Sequence, residues 1–404
     1  MGLKLSKGDK MKVDIDVQFL CTENLRGIPY YILNVVNGLV QRDKNKYSLS
    51  FFDLNHERGN RTYIEKYLKT TTLESAQILE CDELSFSDVI ESNVSGDASS
   101  YNEISYDAYM NSDADVFHFT QSVNIPFNIE KPSVVTVHDL LPILPQTTKY
   151  YKDYIVKSFS NCMNYIKENE KIIIIADSVS TKNDMIKYVG IDAERIYVVP
   201  LAYDPEIHYV DKNPDVLLQF GIGSSYILYL GAIDSRKGIF DILKAYESVK
   251  EKYQDVKLVL AGGMNTAEES IIQDRVKELN TREDIIFTGF VSDDEKRALL
   301  SLAEVFLFPS EYEGFGLPVL EAMACGAPVI TTNVSSLPEV GGDAVMYVTP
   351  RHPEELASAI EHMLSSESLR QNYIARGFEQ CKKFSWDKTA AMTEEVYRVV
   401  YNKG

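Results

Sequence analysis

The chain has 404 residues, of which 45% are hydrophobic, 25% charged and 11% aromatic, a composition that excludes disorder, collagen and coiled coil as global descriptions. That length suits two to three domains, each able to bury its own core. Lys and Arg total 41 against 60 Asp and Glu, so the formal net charge of −19 has the wrong sign for a surface that lives on nucleic acid or an anionic membrane, and an anionic ligand must be met by a local cluster of donors.

Val13 to Leu20 alternates and then runs apolar, which predicts a first strand. Arg26-Gly27-Ile28-Pro29 and the spacing of Ile32, Leu33, Val36, Leu39 and Val40 then predict a glycine turn and a helix. Short apolar runs at Tyr47–Phe52, Val116–Phe119, Val134–Val137 and Ile172–Ala176 suggest buried parallel strands. The stretch from Glu57 to Tyr109 is polar and without period, and is expected to hold insertions and loose helices. Pro200 to Gly223, with Pro205 and Asp211-Lys212-Asn213-Pro214-Asp215, has the composition of a linker.

A second series follows: strand Ile227–Leu230, helix Ile239–Lys250, strand Val256–Ala261, helix Ser270–Leu279, strand Ile285–Thr288, helix Asp293–Leu302, strand Val305–Pro309, helix Pro318–Ala324 and strand Pro328–Thr331. Regular alternation of strand and helix argues for a parallel sheet covered on both faces. Two such α/β domains with a hinge imply a cleft. Phe384-Ser385-Trp386-Asp387 precedes a last amphipathic helix through Met392, Val396, Val399 and Val400, with Trp386 expected as a packing anchor.

Cys21, Cys81, Cys162, Cys325 and Cys381 are scattered and form no CxxC or Cys/His metal spacing, so free thiols in a reducing compartment are expected. No apolar run approaches the roughly 18–20 residues needed to cross a bilayer, which leads to the expectation of a cytoplasmic protein. Met1-Gly2-Leu3-Lys4-Leu5-Ser6 fits a myristoylation pattern, with Lys7, Lys10 and Lys12 as a basic companion, but a chance match on a solvated tail is the plainer reading.

The strongest chemical signal is Glu313-Gly314-Phe315-Gly316-Leu317-Pro318-Val319-Leu320-Glu321, between a strand and a helix. Glycine followed by proline in a first helical turn leaves backbone N–H groups free at the positive end of a helix dipole, an arrangement suited to a phosphate. The two carboxylates cannot bind phosphate; they suit hydroxyls such as those of a ribose and a sugar. The second signal is Gly231-Ala232-Ile233-Asp234-Ser235-Arg236-Lys237-Gly238, at the carboxyl end of a parallel strand, where open α/β sheets bind ligands. Arg236 and Lys237 together suit a diphosphate, although an Arg-Lys pair in a loop is as often simply solvated. Asp14-Ile15-Asp16 and Asp113-Ala114-Asp115 both spell Asp-x-Asp, but they lie in or just before strands, and we set them aside as coincidence. No metal site is expected.

These residues resemble the retaining glycosyltransferases of family 4, which have the GT-B fold. Glu313 to Glu321 matches the family's Glu-x7-Glu motif, Gly231 with Lys237-Gly238 its phosphate-binding loop, and Gly27-Ile28 its N-terminal glycine turn. Asp115-Val116-Phe117-His118-Phe119, Val135-Thr136-Val137-His138-Asp139-Leu140, Asp177-Ser178-Val179-Ser180, Tyr197-Val198-Val199-Pro200 and Phe384-Ser385-Trp386 also fit. The pattern is most similar to the branch with bacterial mannosyltransferases of O-antigen and exopolysaccharide assembly. Many members carry Arg where this chain has Ala232, so the phosphate role of Arg236 is reasoned whereas that of Lys237 is a direct match.

The resemblance implies two Rossmann-like parallel-sheet domains facing a central cleft. An acceptor-side domain over 1–204 would be joined by a linker, 205–224, to a nucleotide-sugar-binding domain, 225–384, with a C-terminal helix, 385–404, returning to the first domain. It implies transfer of a hexosyl group from a nucleoside diphosphate sugar to a glycan or lipid-linked glycan hydroxyl, with no cofactor or metal, no nucleic-acid partner, and transient contact with the inner membrane face left open. Catalytic roles would fall to His138, Arg236, Lys237 and Glu313, and donor binding to Gly27, His118, Gly231, Phe315, Gly316, Leu317 and Glu321. Glu321 would hold ribose hydroxyls, Glu313 a sugar hydroxyl, and His138 would face the sugar, although His138 and His118 also suit purely structural roles. The rival readings are a catalytically silent GT-B partner protein and a GT-B sugar epimerase or phosphorylase.

Overall fold

The computed structural model describes residues 10–22, 25, 27–54, 60–84, 112–123, 125–223, 225–264 and 268–403. The lipidation pattern, Arg26 and the stretch 85–109 lie outside the described residues. The chain divides into two units, one formed by residues 1–201 with 386–404, the other by residues 202–385.

The first unit contains β1 (Lys12–Asp16), α1 (Ile28–Gln41), β2 (Lys46–Leu54), α2 (Asn60–Tyr67), α3 (Thr70–Ser75), β3 (Gln77–Leu84), β4 (Val116–Phe119), β5 (Ser133–Val137), α4 (Asp153–Glu168), β6 (Ile172–Ala176), α5 (Val179–Asp184) and β7 (Ile196–Val198). Its strands form one parallel sheet in the order β3-β2-β1-β4-β5-β6-β7. β5 and β6 are buried along their whole length, as their near-continuous Val and Ile content requires of strands covered on both faces. The expected first strand, Val13–Leu20, is shorter than its apolar run: β1 stops at Asp16, whose carboxylate accepts the Gln18 N–H at 2.9 Å, and the chain turns into a single 3-10 turn over Gln18–Leu20.

Residues Trp386–Lys403 form the last helix, which packs on α1. Gly38 allows the close approach, since a Cβ there would stand 3.1 Å from the Ala390 Cβ. Arg42 reaches Asp387 at 2.8 Å and the buried Glu394 at 3.0 Å, Trp386 meets Tyr30 edge-on, and Thr389 Oγ1 donates to the Pro200 carbonyl.

The second unit contains α6 (Asp215–Gln219), β8 (Tyr226–Leu230), α7 (Ile239–Lys252), β9 (Lys257–Ala261), α8 (Glu269–Glu278), β10 (Ile285–Gly289), α9 (Asp293–Leu302), β11 (Val305–Phe308), α10 (Leu317–Ala324), β12 (Val329–Thr332), α11 (Leu337–Gly341), β13 (Met346–Val348), α12 (Pro353–Ser365) and α13 (Glu367–Cys381). Its parallel sheet has the order β10-β9-β8-β11-β12-β13. The order reverses between β8 and β11, so the loops leaving those adjacent strands flank a topological switch point, where open α/β sheets bind ligands. The segment 205–224 counts with this unit and is tied to α9, where the buried Arg297 donates to the Ile207 carbonyl and to Asp211, both at 3.3 Å.

Among the described residues Cys21, Cys162, Cys325 and Cys381 form no disulfide; the Cys81 side chain lies outside them. No helix of the described residues is long and apolar enough to cross a membrane.

Candidate active site

The turn after β8 is built by its own side chains. Asp234 caps a short 3-10 turn over Ser235–Lys237 by accepting the Lys237 N–H at 3.0 Å, and Glu268 holds both the amide and the hydroxyl of Ser235. Gly238 ends the turn at φ 77°, a conformation that costs any residue with a Cβ, and a Cβ there would lie 2.4 Å from the Pro309 carbonyl oxygen. The cationic turn is thus clamped against the end of β11, and the Arg236 carbonyl accepts the Glu311 N–H at 3.0 Å.

The loop from β11 to α10 is held as firmly. Ser336 Oγ contacts the carbonyls of Glu313 and Phe315, Ser335 Oγ accepts the Glu313 N–H, and Thr332 Oγ1 donates to the Ser310 carbonyl. Gly316 is the N-cap of α10 at φ 111°, with Leu337 Cδ2 only 2.9 Å from where a Cβ would stand. Pro318 occupies the first turn. The amides of Phe315, Gly316 and Leu317 make no backbone hydrogen bond among the described residues, which leaves donors at the positive end of the helix. The Phe315 ring is buried edge-on against Phe384, so its contribution to a ligand is backbone only.

These two loops bring Lys237, Arg236 and Glu313 together. Lys237 Nζ lies 2.5 Å from Glu313 Oε1 and 5.3 Å above the centre of the Phe308 ring, while Arg236 Nη1 stands 4.0 Å from the same oxygen and donates to the Tyr312 carbonyl. Burial alone would raise the Glu313 carboxyl, but the charges of Lys237 and Arg236 outweigh it and hold the group below the ordinary carboxylate range. An ammonium has three donors, so Lys237 keeps capacity for a phosphate oxygen while bonded to Glu313.

Glu321 lies one turn inside α10, 7% exposed. Its Oε2 is 2.6 Å from Lys296 Nζ on α9, and its Oε1 is 3.5 Å from His208 Nε2. Neither partner was singled out from the sequence: Lys296 sits in the run Asp293-Asp294-Glu295-Lys296-Arg297, which has the composition of a solvated helix start, and His208 falls in the presumed linker.

The first-unit residues have other surroundings. Gly27 is the N-cap of α1 at φ 61°. His138 follows β5; its Nδ1 is 2.7 Å from Asp177 Oδ2 and its Nε2 is 3.0 Å from the Thr120 carbonyl. Both partners are acceptors, so the ring must carry both protons to satisfy them. Burial works against that charge, but Asp177 outweighs it and the imidazole is held above its ordinary value. His118 is 1% exposed, with Nδ1 on the Tyr397 hydroxyl at 2.7 Å and Nε2 on Thr136 Oγ1 at 2.8 Å, so both of its nitrogens, like those of His138, are bonded inside the unit. Burial pushes its imidazole down to about 3, with His138 adding to the effect. In the Asp-x-Asp pairs, Asp14 accepts from Ser50, Asp16 from the Gln18 amide and Asp115 from the Lys12 amide. Among the described residues no group of three or more His, Cys, Asp or Glu is arranged to hold a metal ion.

The family described as glycosyl transferases group 1 matches residues 219–380, which include both loops of this site. The O-antigen chain mannosyltransferase B of Escherichia coli is 31% identical over 283 residues, spanning 68% of this chain and 72% of that protein. Among solved structures, sucrose-phosphate synthase from Thermosynechococcus elongatus superposes with a TM-score of 0.77 at 18% identity, covering 98% of this chain and 100% of that one. HepE of Anabaena, solved with UDP and glucose, superposes with a TM-score of 0.71 at 16% identity, covering 96% and 99%. With two Rossmann-like parallel-sheet units of the GT-B type and this relationship in sequence, the chain belongs to the glycosyl transferases group 1 and is a glycosyltransferase.

Proposed function

We propose that this protein transfers a hexosyl group, of the mannose or glucose type, from a nucleoside diphosphate sugar to a hydroxyl of a glycan or glycolipid during polysaccharide assembly, with retention of the anomeric configuration. The observation that carries the reading is the convergence of Lys237, Arg236 and Glu313 beside the open amides of Phe315, Gly316 and Leu317. The name of the Escherichia coli relative supports glycan assembly as the setting, and the UDP and glucose bound to HepE support a nucleotide sugar as the donor class.

The difficult step is departure of a diphosphate from an oxocarbenium-like centre. Negative charge then grows on the distal phosphate, and the Lys237 ammonium, the Arg236 guanidinium and the α10 N-terminus are already fixed when it does, so they stabilise it without reorganising. Glu313, ionised between the two cations, accepts a hydrogen bond from a hydroxyl of the donor sugar, and Glu321 accepts from the ribose. The departing phosphate oxygen takes the acceptor proton on the face where the new bond forms, which yields retention. These cations perform the task a divalent metal performs elsewhere, so we assign no metal to the reaction.

The test is a panel of GDP- and UDP-hexoses with glycan acceptors, following release of nucleoside diphosphate and the anomeric configuration of the product by NMR. We expect turnover with retention, reduced by roughly 10²–10³ in Lys237→Ala at saturating donor. An inverted product, or unchanged turnover in that variant, would overturn the assignment.

A further inference from the structure

Glu321 has a physical problem that the donor-binding reading does not solve. A carboxylate that grips a ribose stands close to a diphosphate, so its charge repels the ligand it serves. It is also buried, and a buried carboxylate without a counter-charge is costly. Something has to cancel the charge without using up the acceptor capacity.

Lys296 stands at the required place. It projects from α9, its ammonium is 2.6 Å from Glu321 Oε2, and only 16% of its side chain is exposed. A carboxylate offers about four lone-pair sites and one ammonium bond occupies one of them, so the pair loses its net charge while keeping acceptor sites for hydroxyls. The geometry is fixed from outside the pair. Ser292 and Glu295 form a capping box at the start of α9, and the next residue, Arg297, is bonded to Asp294 at 2.7 Å, to Asp211 and the Ile207 carbonyl, and lies 4.3 Å from the centre of the Tyr209 ring. Those contacts lock α9 to the segment that carries His208.

His208 closes the other side. Its side chain is 2% exposed, its Nδ1 donates to the Asp204 carbonyl at 3.2 Å, and its Nε2, with no hydrogen-bond partner among the described residues, faces Glu321 Oε1 at 3.5 Å. Burial holds its imidazole below the ordinary value, so at neutral pH Nε2 presents a lone pair and does not compete with a hydroxyl for Oε1.

We propose that Lys296 is a positioning residue for Glu321 and, through it, determines how strongly this enzyme distinguishes ribonucleotide from deoxyribonucleotide donors. This rests on the reading of Glu321 as the ribose acceptor, and the experiment separates the two. Titration calorimetry measures the Kd of the wild type for UDP, GDP and their 2′,3′-dideoxy counterparts, which lack both hydroxyls. A charge-assisted hydrogen bond worth about 1.5–3 kcal/mol corresponds to about 10–150-fold weaker binding of the dideoxy form of whichever diphosphate binds. Lys296→Met is expected to weaken the dideoxy form, because the Glu321 charge is left uncancelled beside the diphosphate, and to weaken the ribose form further, bringing that ratio below about threefold, and Lys296→Arg is expected to restore it. A merely structural role would weaken both forms alike and leave the ratio unchanged, which overturns the proposal. Lys296→Gln serves if the Met variant unfolds. A wild type that binds both forms equally well overturns the Glu321 reading itself.

Discussion

We expect Gly238→Ala to damage the enzyme out of proportion to its size, and a second glycine of the same unit supplies the scale. Gly238 has φ 77° and Gly289 has φ 68°, so alanine at either position meets the left-handed penalty, about 1–2 kcal/mol. At Gly289 the new methyl has no atom within 4 Å, whereas at Gly238 it lies 2.4 Å from the Pro309 carbonyl oxygen and 3.0 Å from the Pro309 Cγ. Relieving that overlap means separating the cationic turn from the end of β11, a further 1–3 kcal/mol by analogy with overpacked cores, roughly. The total for Gly238→Ala is then about 2–5 kcal/mol, against about 1–2 for Gly289→Ala. Hydrogen exchange of the β8 and β11 amides reads the second unit by itself. Calorimetric titration with a nucleoside diphosphate reads the turn, because moving Gly238 carries Lys237 away from Glu313. Equal loss of protection in the two variants, or full diphosphate affinity in Gly238→Ala, would refute the clamp.

The two glutamates should separate by ligand: Glu321→Gln weakens binding of the bare nucleoside diphosphate, whereas Glu313→Gln does not, since it releases the Lys237 ammonium, and lowers turnover of the intact donor instead; calorimetry beside steady-state kinetics checks both. Turnover should persist in excess chelator, and complete loss restored by magnesium or manganese would contradict the cationic mechanism. His118 should leave a pH signature in stability. Its folded pKa of about 3 lies below the unfolded value of 6.5, so its contribution is present above 6.5 and is lost as pH falls toward 3. Asp16, pushed up to about 7, and Asp14, pushed up to about 6, both by burial, act in the opposite direction, so the difference between wild type and His118→Gln isolates the histidine. Measured by denaturant melts, that difference should shrink by about 2 kcal/mol between pH 6.5 and 5, and parallel curves would refute it.

The second sheet was legible in the sequence because fully buried parallel strands leave apolar runs such as Tyr226–Leu230 and Val305–Phe308 that glycine and proline punctuate. β3 was not, and its place explains why: it is the outermost strand of its sheet, and the segment Gln77-Ile78-Leu79-Glu80-Cys81-Asp82-Glu83-Leu84 carries charges that an edge tolerates and a central strand does not. β13, at the edge of the other sheet, was missed for a different reason: the strand, Met346-Tyr347-Val348, is only three residues long. In the site, Lys237, Glu313 and Glu321 were visible because each belongs to a local pattern of glycines and spacing. Lys296 and His208 were invisible because their meaning comes only from meeting Glu321 in space, and a charged residue among charged neighbours has the look of a wet helix face.

The last helix belongs to the first unit, and this has a consequence for biosynthesis. Residues 202–385 are made between the bulk of that unit and the helix that completes it. At roughly 5–20 residues per second the delay is on the order of 10–40 s. Throughout that interval the face of α1 around Gly38 is uncovered, Arg42 lacks Glu394, and His118 lacks the Tyr397 hydroxyl. The first unit is therefore the earlier to emerge from the ribosome and the later to finish folding, so a ribosome that stalls within 202–385 holds out a sheet and an α1 that their last helix has not yet covered, the species for which a chaperone has the most to cover.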